Sequence, residues 1–257
     1  MDKRIVIKVG SNVLTRKDGK LDVTRMSAIV DQLAWLRRQG YEVILVSSGA
    51  VACGRRELTV DHSLDSVEQR QLFSAVGQVK LVGLYYDLLR EYGIHVGQVL
   101  TMKENFEPGE QYRNQQACMR VMLENDVLPI VNENDTVSVT ELMFTDNDEL
   151  SGLIARMMEA GTLVLLSNID GIYDGHPDDP ASHIIPQVEP GRDLSQYIKA
   201  EKSAFGRGGM HSKYTTAQKV QQAGIRVIIA NGERDNVLVD LIEHKDQTPH
   251  TEFMPCN

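Results

Sequence analysis

Apolar residues in this chain fall into short unbroken runs, separated by longer stretches in which they recur every three or four positions. The runs are Ile5–Val9, Val43–Val46, Val96–Leu100, Val127–Val131, Leu163–Leu166 and Val227–Ala230. Most are continuous rather than alternating in polarity, the pattern of strands covered on both faces. The longer stretches include Thr24–Gln39 and Glu68–Tyr92. In the second, Leu72, Val76, Val79, Val82, Tyr86 and Leu89 mark one apolar stripe, the face an amphipathic helix turns to a core. Strands alternating with helices predict an α/β fold with a mainly parallel central sheet, right-handed crossovers and helices on both sides.

Two stretches break the rhythm. Gly171–Arg192 holds four prolines and several aspartates and reads as a loop or a small hairpin excursion; Glu201–Met210 is irregular and glycine-rich. There is no internal repeat and no low-complexity linker, so the expectation is two lobes of one continuous domain, about 1–160 and 161–257, meeting near Gly161.

The strand ends carry the chemistry. After the first strand come Lys8, Gly10, Ser11 and Asn12; after the second, Ser47-Ser48-Gly49-Ala50; after Val127–Val131, Asn132-Glu133-Asn134-Asp135; after Leu163–Leu166, Ser167-Asn168; after Val227–Ala230, Asn231-Gly232. In a parallel sheet these ends share one edge, so small, polar and charged groups converge on a common crevice. Ser47–Ala50 precedes a helical run and fits an anion-binding helix start and an ordinary serine cap equally well. Asp146-Asn147-Asp148-Glu149 precedes an apolar helix, and Asp146 with Glu149 fits a capping box. A cap leaves the surplus acid unexplained; such carboxylates could orient lysines or hold a metal ion. Gly206-Arg207-Gly208-Gly209-Met210-His211-Ser212-Lys213 opens a further helix with flexible glycines and a lysine in its first turn, which are the physical requirements of a phosphate cradle. It is neither a P-loop nor an early GxGxxG, and the latter absence disfavours a dinucleotide-binding oxidoreductase.

Composition narrows the classes. The formal net charge of -9 argues against a nucleic-acid surface, which needs Lys and Arg to neutralise phosphates. Cys53, Cys118 and Cys256 are an odd number at unrelated spacings, which suggests neither a zinc site nor a disulfide framework. The scattered histidines form no metal-binding cluster, so no protein metal site is expected. No apolar run approaches the roughly 18 residues of a membrane span and the N-terminus does not read as a signal peptide, so no membrane association is expected and the cytoplasm is the default location.

Taken together, Lys8-Val9-Gly10-Ser11-Asn12-Val13-Leu14, Ser47–Ala52, Ala75-Val76-Gly77-Gln78, Val131–Asp135, Asp146-Asn147-Asp148 and Gly208-Gly209-Met210 leading to Lys213 resemble the amino acid kinase family, in the family's order. Within it the likeness is to members that phosphorylate glutamate; Thr251-Glu252-Phe253 resembles the family's closing strand. The resemblance implies an αβα sandwich, with the amino acid in the N-terminal lobe and the nucleotide in the C-terminal one. It implies transfer of phosphate from ATP to the L-glutamate γ-carboxylate, the first step of proline synthesis. Lys8 and Lys213 would contact the transferring phosphoryl group, with Asp148 organising both. Ser48, Gly49, Asn132, Asp135 and Asn147 would bind glutamate. Lys8, Ser167, Asn168, Arg207, Gly208, Gly209, Met210, His211, Ser212 and Lys213 would bind ATP, with Mg²⁺ carried mainly by its phosphates. A homo-oligomer, feedback inhibition by proline and the absence of a C-terminal PUA domain are also expected. This chain has Ser167-Asn168 where the family often has Thr-Asp, and Ser212 where it has Thr. Competing readings are another acceptor of the superfamily (N-acetylglutamate, aspartate or UMP) and a nucleotide-binding regulator without turnover.

Overall fold

The computed structural model describes residues 3–138, 144, 146–198, 209–243 and 248–256. In chain order the elements are β1 (Arg4–Val9), α1 (Ser11–Leu14), α2 (Val23–Arg38), β2 (Glu42–Ser47), α3 (Ala50–Glu57), α4 (Ser66–Arg90), β3 (His95–Thr101), α5 (Glu110–Glu124), β4 (Val127–Glu133), α6 (Asn147–Met157), β5 (Thr162–Ser167), β6 (Gln187–Val188), α7 (Met210–Gln222), β7 (Arg226–Asn231), α8 (Val237–Glu243) and β8 (His250–Phe253). The strands form one sheet in the order β3-β4-β2-β1-β5-β7-β8-β6. Every pairing is parallel except β7 with β8. The strand runs therefore end where the apolar pattern places them, within a residue or two.

Alternation along each strand divides the core in two. Ile5, Ile7 and Val9 pack with α2, α3, α4 and α8 on one face. Val6, Ile44, Val46 and Leu165 pack with α5, α6 and α7 on the other. Acidic caps set the starts of α2, α4 and α6. Asp22 accepts from Arg25 N at 3.1 Å, and Asp65 and Glu68 form a reciprocal box at the start of α4. Such a cap contributes about 1 kcal/mol.

The structure corrects three expectations. First, the apolar stripe of α4 is only partly buried. Leu72, Val79 and Tyr86 are exposed, Val76 and Val82 half-buried, and Leu89 alone of the stripe is buried, on a face that runs through Phe73, Gly77, Leu81 and Tyr85. The reason is a close helix crossing. A Cβ on Gly77 would lie 1.8 Å from the Ala50 carbonyl oxygen, and one on Gly54 would lie 1.8 Å from that of Phe73. The contact selects small residues, so hydrophobicity does not report which side is inside. Second, β3 is an edge strand with Leu100 exposed, not a strand covered on both faces. Third, Gly171–Arg192 is more than an excursion. It has hairpin pairing at Tyr173 and Ile184, but it also supplies β6 to the sheet edge beside β8.

Candidate active site

The carboxyl ends of β1, β2, β4 and β5 open onto a cleft of about 1200 Å³. Four of the five polar strand ends meet there. The fifth does not: Asn231 donates from Nδ2 to Asp170 Oδ1 at 3.0 Å, helping Arg234 hold the segment after β5.

Lys8 is the penultimate residue of β1, and its side chain turns beneath the cleft floor. Its Nζ lies 2.7 Å from Asp148 Oδ1, and Lys213 Nζ lies 3.0 Å from Asp148 Oδ2. Asp148 is the second residue of α6 and has no solvent exposure. Asp146 caps that helix, accepting from Asp148 N at 2.9 Å and Glu149 N at 3.0 Å, so cap and bridge are set by one turn of chain. Burial pushes the Asp148 carboxyl up, but the Lys8 and Lys213 charges outweigh it and hold the group below its ordinary value of 3.8. Burial lowers the Lys8 ammonium from its ordinary 10.5, against the pull of Asp148 and with the charge of Lys213 adding to the effect. One carboxylate thus holds two ammonium groups at the cleft, and Asp146 adds a second buried negative charge that acts on Lys8.

Asn147, beside Asp148, gathers the neighbouring strand ends. Its Nδ2 lies 2.9 Å from Ser48 Oγ and 3.1 Å from Asn132 Oδ1. Asn132 in turn donates to Gln78 Oε1 of α4 at 2.9 Å. Behind Ser48, Ser47 Oγ pairs with the Tyr85 hydroxyl at 2.9 Å. Gly49 has φ 110°, a left-handed conformation that suits glycine, so the turn into α3 is fixed by residue type. Asp135 follows β4, and Arg70 of α4 reaches it: Nε lies 2.6 Å from Asp135 Oδ1, and Nη2 lies 2.7 Å from Glu133 Oε2. Glu133 also accepts from Ser138 Oγ at 2.9 Å and Phe144 N at 3.0 Å.

On the other flank, Ser167 and Asn168 follow β5, and α7 starts behind Gly209 with no side chain capping it. Such an open helix start offers N–H groups to phosphate. Lys8, Ser48, Gly49, Asn132, Asp135, Asn147, Ser167, Asn168, Gly209, Met210 and Lys213 all line the one cleft. Asp148 lies beneath it, and exposed His211 and half-buried Ser212 are not part of its lining. Arg207 and Gly208 fall outside the described residues. Sequence reasoning missed Arg70 and Tyr85, which sit in a helix far from any strand end and carry no local signal. Among the described residues, no helix is long and apolar enough to cross a membrane, and no group of three His, Cys, Asp or Glu side chains is placed to hold a metal ion.

Comparison with known proteins gives the class that this sheet and cleft belong to. The chain belongs to the amino acid kinase family, whose profile matches residues 3–231. It is similar to the glutamate 5-kinase of Bacteroides thetaiotaomicron, at 66% identity over 98% of this chain and 70% of that protein. The glutamate 5-kinase of Chlorobaculum tepidum is 45% identical over 92% of this chain and 65% of its own length. The chain thus spans about two thirds of these relatives. Among solved structures, the carbamate kinase of Giardia lamblia bound to AMP-PNP superposes with a TM-score of 0.71 at 15% identity, covering 99% of each chain. The UMP kinase of Ureaplasma parvum gives 0.66 at 18% identity, again over 99% of each. At these identities the two structures speak for the fold alone.

Proposed function

We propose that the chain transfers the γ-phosphoryl group of ATP to the γ-carboxylate of L-glutamate, giving ADP and L-glutamate 5-phosphate for proline synthesis. The observation that carries this reading is Asp148 holding Lys8 and Lys213 together at a cleft that Asp135 also lines. The similarity to the two glutamate 5-kinases supports it.

The chemistry asks for no general base, because a γ-carboxylate with a pKa of about 4.3 is already ionised at neutral pH. The obstacle is bringing an anion onto a polyanion and holding both in line. Lys8 and Lys213 neutralise the charge of the transferring group, and Asp148 fixes where they point. Asp135 pairs with the substrate ammonium, and Ser48, Gly49, Asn132 and Asn147 seat the rest. This pairing favours a free amine over N-acetylglutamate, whose acetylated nitrogen offers no charge. Ser167, Asn168 and the segment Gly209–Lys213 hold the nucleotide. The amino acid is thus held mainly by residues 1–160 and the nucleotide mainly by 161–257. Asp146 Oδ2 is buried without a hydrogen-bond partner, which fits a Mg²⁺ ion shared with nucleotide phosphates and neutralising their charge.

Coupled ADP release with L-glutamate, N-acetyl-L-glutamate, L-aspartate and UMP tests the reading. Glutamate should be preferred; turnover with another acceptor alone, or none at all, overturns it. Proline shares an α-carboxylate and an amino nitrogen with glutamate, so it is proposed to inhibit from the same subsite of Ser48, Asp135 and Asn147. Saturating glutamate should relieve that inhibition, and inhibition that persists would place proline elsewhere. A cytoplasmic homo-oligomer completes the proposal, with light scattering as the check on assembly.

A further inference from the structure

Among the described residues, the ion pair between Arg70 and Asp135 is a cleft-lining contact that the proposed reaction does not use. Arg70 sits in the second turn of α4, lines the cleft, and has a side chain 16% exposed. Its guanidinium touches both Glu133 and Asp135. Glu133 is essentially inaccessible, with 1% side-chain exposure, so its role is to hold the fork. Asp135 faces the cleft and is the proposed partner of the substrate ammonium.

We infer that Arg70 reads the α-carboxylate of the substrate, forming with Asp135 a matched pair for the two charges on one α-carbon. This rests on the glutamate reading. Ammonium and carboxylate hang from the same carbon, so the cation that reads the carboxylate must stand beside the anion that reads the ammonium. Lys8 and Lys213 are held by Asp148, and Arg55 and Arg56, which also line the cleft, are exposed residues of α3. Arg70 is already bonded to Asp135, and its planar fork suits a carboxylate in two-point contact. An α-amino acid sets its ammonium against Asp135 and its carboxylate against Arg70, while Glu133 keeps its own contact with the guanidinium.

The arrangement also selects against simple amines. An ammonium arriving without a carboxylate would sit at Asp135 beside the guanidinium and leave the guanidinium without the anion that an α-amino acid brings to it. Arg70 is therefore a specificity determinant for α-amino acids over amines that carry the same reactive γ-carboxylate.

Three ligands and two variants test this. L-Glutamate carries both α-groups, 4-aminobutyrate lacks the α-carboxylate, and glutarate lacks the ammonium. KM is measured for glutamate, and inhibition constants against glutamate for the other two, in the wild type, R70Q and R70K, with circular dichroism to confirm folding. R70Q should raise the glutamate KM by roughly 30-fold, the scale of one charge-assisted contact, and weaken glutarate similarly. Binding of 4-aminobutyrate should be unchanged or tighter. R70K keeps the charge without the fork and should fall between. If R70Q weakens glutamate and 4-aminobutyrate in equal proportion, Arg70 merely positions Asp135 and the inference fails. An unchanged glutamate KM in R70Q also overturns it. A variant that does not fold leaves R70K to decide by the same ratio. Wild-type protein that does not phosphorylate glutamate defeats the functional reading instead, a separate outcome.

Discussion

The two ends of the cleft are built with opposite charge ratios. At the phosphoryl end two ammonium groups share one carboxylate. At the amino-acid end two carboxylates share one guanidinium. Both clusters are buried or nearly so, where leaving a charge unpaired is costly. Their difference teaches how each is held: the two lysines are fixed by one carboxylate in the first turn of α6, the guanidinium by two carboxylates at and just beyond the end of β4.

The comparison breaks most visibly at the phosphoryl end. Lys213→Ala should cost on the order of 10²–10³ in kcat, the scale of removing one preorganised donor, with the fold retained. Lys8→Ala should behave alike. Wild-type-like turnover in either purified variant removes that lysine from the mechanism. A loss confined to the glutamate KM in Lys8→Ala would move that residue to the other end.

At the amino-acid end the signature should differ in kind. On the proposed reading Asp135→Ala removes a contact made in ground state and transition state alike, so KM for glutamate should rise by roughly 10–100-fold while kcat changes less. A variant with unaltered KM would show the ammonium to be held elsewhere.

pH separates the ends as well. The Lys8 ammonium is held below 10.5 by burial, so it loses its proton, and its charge, as pH rises through that lowered value. kcat/KM for ATP, which reports the free enzyme, should therefore fall about tenfold per pH unit on an alkaline limb whose apparent pKa lies below 10.5. A limb at or above 10.5 in a pH–rate profile would take Lys8 deprotonation out of the rate.

Two glycines of α4, the helix that carries Arg70 and Gln78, give the smallest effects and a clean contrast. Gly77→Ala would drive a Cβ into the Ala50 carbonyl and should destabilise by about 1–3 kcal/mol. Because α3 starts beside Ser48, it should raise the glutamate KM too. Gly83→Ala meets nothing within 4 Å and should stabilise by about 0.4–1 kcal/mol. Urea unfolding measures both, and equal effects would refute the close crossing.

The sequence by itself determined the central strands, the helices between them and the parallel order of most of the sheet. Continuous apolar runs have few ways to be buried other than between two helix layers. It determined that Lys8, Ser48, Asn132, Asp135, Ser167 and Asn168 lie along one edge, because strand ends in a parallel sheet must. The acid surplus around Asp148 was legible as an excess that a cap does not need, and Asp148 is the bridge between the lysines. Tertiary structure alone decided the rest. Which face of α4 is buried depends on backbone contact at Gly54 and Gly77, where the fitting residue is the smallest rather than the most apolar. β3 became an edge strand because, among the described residues, it pairs with β4 alone. β6 joined the sheet by pairing with β8, a partner more than sixty residues away. Arg70 entered the site because a helix between two strands happens to point one turn of its surface at the end of a third. A side chain of that kind has no periodicity, spacing or motif to announce it, since its partner is fixed by packing and not by sequence distance.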